Sequence, residues 1–158
     1  MAELPDDVHA EIVRLSAEGD EAASGERFDQ ALERFQAAYN LLPEPKQEWE
    51  AGLWLLAGIA DAHFLAGRFA DSADALRQAL NCPAGIGNPF VHLRSGQVAY
   101  ELGDRERAAD ELARAFLMEG RELFEEDDPK YLAFVLTKLR PPDGFSSWDE
   151  YFEKSEEV

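Results

Sequence analysis

Cysteine is all but missing: Cys82 stands alone in 158 residues. An internal disulfide is therefore impossible, and a reducing compartment suits the chain. Histidine is nearly as scarce. His9, His63 and His92 are the three present, and no two sit at metal-ligand spacing on one helix, so no metal is expected. Basic residues are outnumbered, with 15 Lys and Arg against 33 Asp and Glu, giving a net charge of −18. That deficit argues against nucleic acid, whose phosphates need Lys and Arg, and against anionic membranes. Long apolar runs are missing too. The most apolar stretch, "AGLWLLAGIADAHFLAG", is broken by Asp61 and His63 and is too short to span a bilayer. The N-terminal "MAELPDDVHAEIV" has no basic region leading into an apolar run, so no secretory signal is expected. A cytoplasmic location follows as the expectation.

Catalytic constellations are absent as well. "GIGNP" is a lone glycine-rich turn with no Lys and no preceding strand, so it is not a phosphate loop. Asp61 and His63 are the one acid–base pair to test, yet two residues apart on a helix they point to different faces. No cofactor and no enzymatic activity are expected.

What is present is a hydrophobic content of 46%, enough for a folded core in one domain. "GERFDQALERFQAAYNLLPEP" places small residues where a helix usually carries bulk. The pattern returns in "GRFADSADALRQALNCP" and "GDRERAADELARAFLMEG". Ala31, Ser72 and Ala108 align, as do Ala38, Ala79 and Ala115, with bulky Phe35, Leu76 and Leu112 between them. Twelve residues before the first small position stand Gly19, Ala60 and Gly96, small again. Each unit reads as two antiparallel helices, A and B, whose axes approach closely where no bulk intervenes. The large residue one turn on fills the space beside that contact.

This spacing resembles the tetratricopeptide repeat (TPR): a small residue, twelve on small, four on bulky, three on small, five on Pro. The first unit carries all of it in Gly19, Ala31, Phe35, Ala38 and Pro43. The second substitutes Ser72 and brings Pro83 one residue early, and the third has Gly120 in place of the Pro. The unit offsets are 41 and 36, longer than the family period of about 34. "LPEPKQEWE" and "NCPAGIGNP" supply the extra length. The implied fold is an all-α solenoid of about three repeats with a C-terminal capping helix and a short tail helix. The expected bounds are a helical domain over 1–140, with repeats near 12–45, 53–84 and 89–120, a cap over 129–139, and an acidic tail over 141–158.

Local signals agree with this division. Pro45, Pro89 and Pro129 suit the first turn of a helix. Asn88, Asp104 and Asp128 suit N-caps. "DDPKYLAFVLTKLRPP" puts Tyr131, Phe134, Val135 and Leu139 on one face of a seventh helix. Ser147 and Glu150 form a capping box for an eighth, and its Trp148, Tyr151 and Phe152 favour packing over exposure. Charge collects at the ends: segments 1–21, 119–130 and 141–158 carry −6, −4 and −5. The repeat body is nearly neutral. Acidic ends solubilise a solenoid, or they form a rim that meets a cationic partner.

In the TPR family, ligands usually lie on the face made by the A helices. The resemblance carries that groove onto Val13, Ser16, Asp20 and Ala23, then Trp54, Ala57, Asp61 and Phe64, then Phe90, Leu93, Gln97 and Tyr100. Of these, Asp20, Trp54, Asp61, Phe64, Phe90, Gln97 and Tyr100 are the expected partner-binding set. The clamp by which chaperone-binding relatives hold a C-terminal carboxylate is missing, because its basic positions read Ser16, Ala57 and Leu93. The chain's own "SEEV" reads as solvated tail. The stretches "YNLLPEPKQEWEAGLWLLAGIADAHFLAG", "ALNCPAGIGNPFVHLRSGQ" and "FEEDDPKYLAF" resemble small bacterial TPR proteins encoded beside polymorphic toxin genes. That resemblance implies an immunity protein that binds a basic toxin domain without catalysis. The alternative is a general adaptor for a peptide or helix.

Overall fold

A computed structural model describes residues 3–156. The last two residues of the expected solvated tail lie outside the described residues. Eight α-helices and two short 3-10 turns follow one another, with no strand among the described residues. The A helices are α1 (Asp6–Ser24), α3 (Glu50–Leu65) and α5 (Pro89–Glu101). Their B partners are α2 (Phe28–Asn40), α4 (Phe69–Leu80) and α6 (Arg105–Glu119). Then come the capping helix α7 (Pro129–Leu136) and the tail helix α8 (Trp148–Glu156). One 3-10 turn, Lys46–Glu48, takes up the long first connection, and the other, Arg121–Phe124, leads from α6 to α7.

The small–bulky register is what brings A and B together. Ala31, Ala38, Ser72, Ala79, Ala108 and Ala115 are all fully buried. The bulky residue does more than fill space beside the contact: it lands directly on the small residue of helix A. A Cβ added to Gly19 would sit 2.6 Å from the Phe35 ring, and one on Gly96 would sit 2.5 Å from Leu112 Cγ. In the second unit Ser72 replaces alanine and adds a tie, its Oγ donating to the Ala60 carbonyl at 2.7 Å. The two small residues therefore touch across the helix pair.

The A-to-B turns keep the same register. Gly67 and Gly103 adopt positive φ of 77° and 87°, and the equivalent residue of the first unit, Glu26, is held at φ 59°. A side chain in that region carries a steric cost that glycine escapes. Glu26 is exposed. Its replacement by glycine is expected to raise stability by about 1 kcal/mol in urea unfolding.

Three of the expected caps form. Asn88, Asp104 and Asp128 accept from the backbone N–H of Val91, Arg107 and Lys130. Pro89 and Pro129 occupy first turns, whereas Pro45 does not: it precedes the 3-10 turn, and α3 begins only at Glu50. The capping box of α8 is half formed. Ser147 Oγ accepts from Glu150 N, but the Glu150 carboxylate turns to the N–H and hydroxyl of Ser146. Those bonds, together with Lys154, hold the Glu150 carboxyl down at about 2. Helix α7 stops at Leu136, where the Thr137 hydroxyl donates back to the Phe134 carbonyl.

Two apolar clusters result. The larger joins the first two units and reaches Val91 and Val98 of α5. The smaller gathers Leu93, Leu112, Phe116, Phe124, Tyr131 and Val135 at the C-terminal end. Helix α8 packs back on it. Trp148 lies edge-on to Phe116 at 5.2 Å and donates its indole N–H to the Leu139 carbonyl at 3.0 Å.

Candidate functional site

Helix α5 is buried along its whole middle, from Val91 to Ala99. A helix wrapped on all sides must satisfy every polar side chain from within. His92 does so through Glu111 and the Ile86 carbonyl, each at 2.6 Å, which pins the 81–88 connection to the body. Arg94 does so in part by reaching across the A-helix face, while its Nε, Ser95 Oγ and Gln97 Nε2 are left without a partner. Its guanidinium pairs with Asp61 of α3 and with Asp127 before α7, the latter at 3.3 Å. It also donates to the Gln97 amide oxygen at 2.7 Å. The same group stacks on Phe64 and Phe90, at 4.3 and 5.1 Å from the ring centroids.

This cation fills part of the A-helix groove and leaves Asp61, Phe64, Phe90 and Tyr100 half-buried. Gln97 has no exposed surface, and Leu93 and Ser16 are buried with it. Helix α7 supplies the rest of the cover. Tyr131 packs on Phe64 and Tyr100, and Phe134 packs on Tyr100. The Tyr131 hydroxyl donates to Glu101 at 2.7 Å, and burial followed by that bond drives its pKa upward. Burial works against the Glu101 carboxylate, but bonds from Lys130 and Tyr131 outweigh it and hold the group below its ordinary range. Asp61, Phe64, Phe90, Gln97 and Tyr100 are thus drawn together, around a residue of the chain itself. Asp61 and His63 are not a pair: Asp61 serves Arg94, while His63 lines a shallow hollow with Leu32 and Gln36 of α2. Burial keeps His63 below its ordinary value, and its Nδ1 has no partner.

The open end of the A-helix face lies at the other side. Trp54 stands clear of the core, 43% exposed, and Val13 and Asp20 are exposed on α1. Trp54 forms one wall of a cleft of about 610 Å3 between the N-terminal end of α1 and the start of α3. Trp49, Leu4, Pro45 and Ala51 complete its apolar lining, and Glu3, Glu44, Glu48, Glu50 and His9 are its polar residues. Trp49 is fixed by its indole N–H, which donates to the Pro43 carbonyl at 2.8 Å. The repeat spacing points to Trp54 but not to Trp49, Glu44 and Glu48, which belong to the extra-long connection, nor to Glu3 ahead of α1 and Glu50 at the start of α3. Arg94 is likewise invisible to the spacing. Among the described residues no group of three or more His, Cys, Asp or Glu could hold a metal ion. No described helix is long and apolar enough to cross a membrane.

No protein-family profile and no curated protein matches the chain. Solved structures do. The Arabidopsis OM64 TPR domain superposes with a TM-score of 0.65 at 14% identity, over 84% of this chain and 99% of that one. The first TPR of Spaghetti (RPAP3), bound to the HSP90 peptide SRMEEVD, gives 0.63 at 15%, over 81% and 90%. PcrH from Pseudomonas aeruginosa gives 0.60 at 16%, over 85% and 89%. Helix order, the glycine-on-bulk contacts and these superpositions agree: the chain has the tetratricopeptide-repeat fold.

Proposed function

We propose that this chain is a non-catalytic protein-binding module for a cationic partner, an immunity protein that neutralises a basic toxin domain. The observation that carries the reading is the meeting of charge and aromatic surface: exposed Trp54 and half-buried Trp49 sit among four glutamates at an end of the molecule that is itself acidic. Aromatic anchors give an interface its affinity, and an opposite field speeds encounter. Occlusion of a toxin's active site requires only bulk and complementarity. The resemblance to TPR proteins encoded beside toxin genes supports the same reading.

A general adaptor is the second reading, favoured by the fold neighbour whose TPR holds a peptide. An acidic peptide of that kind does not suit this chain, because Ser16, Ala57 and Leu93 offer no cation to it. The test is affinity capture with the tagged full chain, from its native lysate and against purified basic toxin domains, read by mass spectrometry. One stoichiometric basic toxin domain that loses activity on binding is the expected result. A chaperone, a secretion component or a spread of unrelated proteins would overturn immunity in favour of the adaptor.

A further inference from the structure

The chain repeatedly solves one problem the same way. Arg94 lies on Phe64 and Phe90 and pairs with Asp61 and Asp127. Arg121 lies 4.3 Å from the Phe152 centroid and pairs with Glu156. Arg105 lies 3.8 Å from the Tyr100 centroid, within the field of Glu101. In each case a planar guanidinium covers a ring while carboxylates stand at its edge. Lys130 over Tyr100 and Tyr131 with Glu101, and Lys154 over Phe145 with Glu150, repeat it with an ammonium. Only the flat, weakly hydrated guanidinium fork both stacks and donates in parallel, so the arrangement suits arginine better.

At Trp49 and Trp54 the rings and the acids are present, and among the described residues no Lys or Arg lies over either indole. The nearest lysine in sequence, Lys46, is committed elsewhere: its Nζ donates to the carbonyls of Asn40 and Leu42. The Trp49 ring is held in place by its bond to Pro43, so that wall of the cleft is set before any ligand arrives. We infer that this cleft receives an arginine side chain from the protein partner, stacked on Trp54 and forked to the flanking glutamates. The inference rests on the proposed reading of a cationic protein partner and adds the residue that is read and where.

The test uses the full chain and two blocked glycine–serine peptides, one carrying two arginines and a twin carrying citrulline, which keeps the shape and removes the charge. Calorimetry at low salt is expected to show the arginine peptide binding at least tenfold more tightly than its twin. Trp54→Ala, and separately the Glu48→Gln/Glu50→Gln pair, should each weaken it about tenfold. All three positions are exposed, so the fold is retained. Glu125→Gln/Glu126→Gln removes the same charge at the far end and should change affinity less than twofold. Equal losses from the near and far pairs, an unaffected Trp54→Ala, or no binding of the arginine peptide would each overturn the cleft. A captured basic protein indifferent to the cleft variants would also overturn it while leaving the binding-module reading intact. Failure to capture any basic protein, with the peptide series as expected, would overturn that reading and leave the cleft standing.

Discussion

Replacing Phe35 by alanine is expected to lower the unfolding free energy by about 3–5 kcal/mol, measured by urea denaturation. The ring is 4% exposed and lies between two glycines, Gly19 of α1 and Gly58 of α3. Neither has a side chain that could rotate into the void, and helix backbones move inward only together. The cavity therefore stays open and the loss belongs at the upper end of the range. The reciprocal change, Gly19→Ala, inserts a methyl 2.6 Å from the ring and should cost about 1–3 kcal/mol despite the better helix propensity of alanine. Combined with Phe35→Leu it should cost less than the sum, since a smaller side chain at position 35 makes room for the methyl. Strict additivity, or a Phe35→Ala loss under about 1 kcal/mol, would mean that this ring does not join the first two units.

Removal of the Arg94 guanidinium is the second large effect. Arg94→Ala should cost about 3 kcal/mol, because it leaves Asp61 and Asp127 facing one another with no cation and Gln97 without its partner. Both aspartates keep some access to water, which limits the penalty. The loss should be local first. Amide exchange over 121–136 is expected to rise ahead of that in α1–α4, since Arg94 ties the segment before α7 to α3. Uniform exchange across the chain would contradict that order. Asp61→Asn added to Arg94→Ala should recover part of the loss by relieving the repulsion.

The sequence displays the parts of this fold that repeat. Gly19, Ala60 and Gly96, the turn glycines at 67 and 103, and the caps Asn88, Asp104 and Asp128 all follow from local rules that a neighbour 30 residues away does not alter. The groove is different. Its A-helix positions follow the register, yet Leu93 is buried in the cluster that Tyr131 joins, and Gln97 is buried beside Arg94. Arg94 reaches its two carboxylates 33 residues away in both directions, a pairing that no periodicity carries. Trp49, Glu44 and Glu48 lie in a connection longer than the repeat, and the course of such a loop is set by packing.

The cover on Phe64, Tyr100 and Phe116 comes from Tyr131, Phe134 and Trp148, all on the two helices that follow the third unit. During synthesis those residues emerge after all three repeat units. The first two units have their own core and can close without them. A nascent chain stalled or cleaved before Pro129 therefore holds a folded front half and a bare aromatic strip behind it. Exposed apolar surface of that kind makes a nascent chain prone to aggregate, and the packing of residues 129–152 hides it.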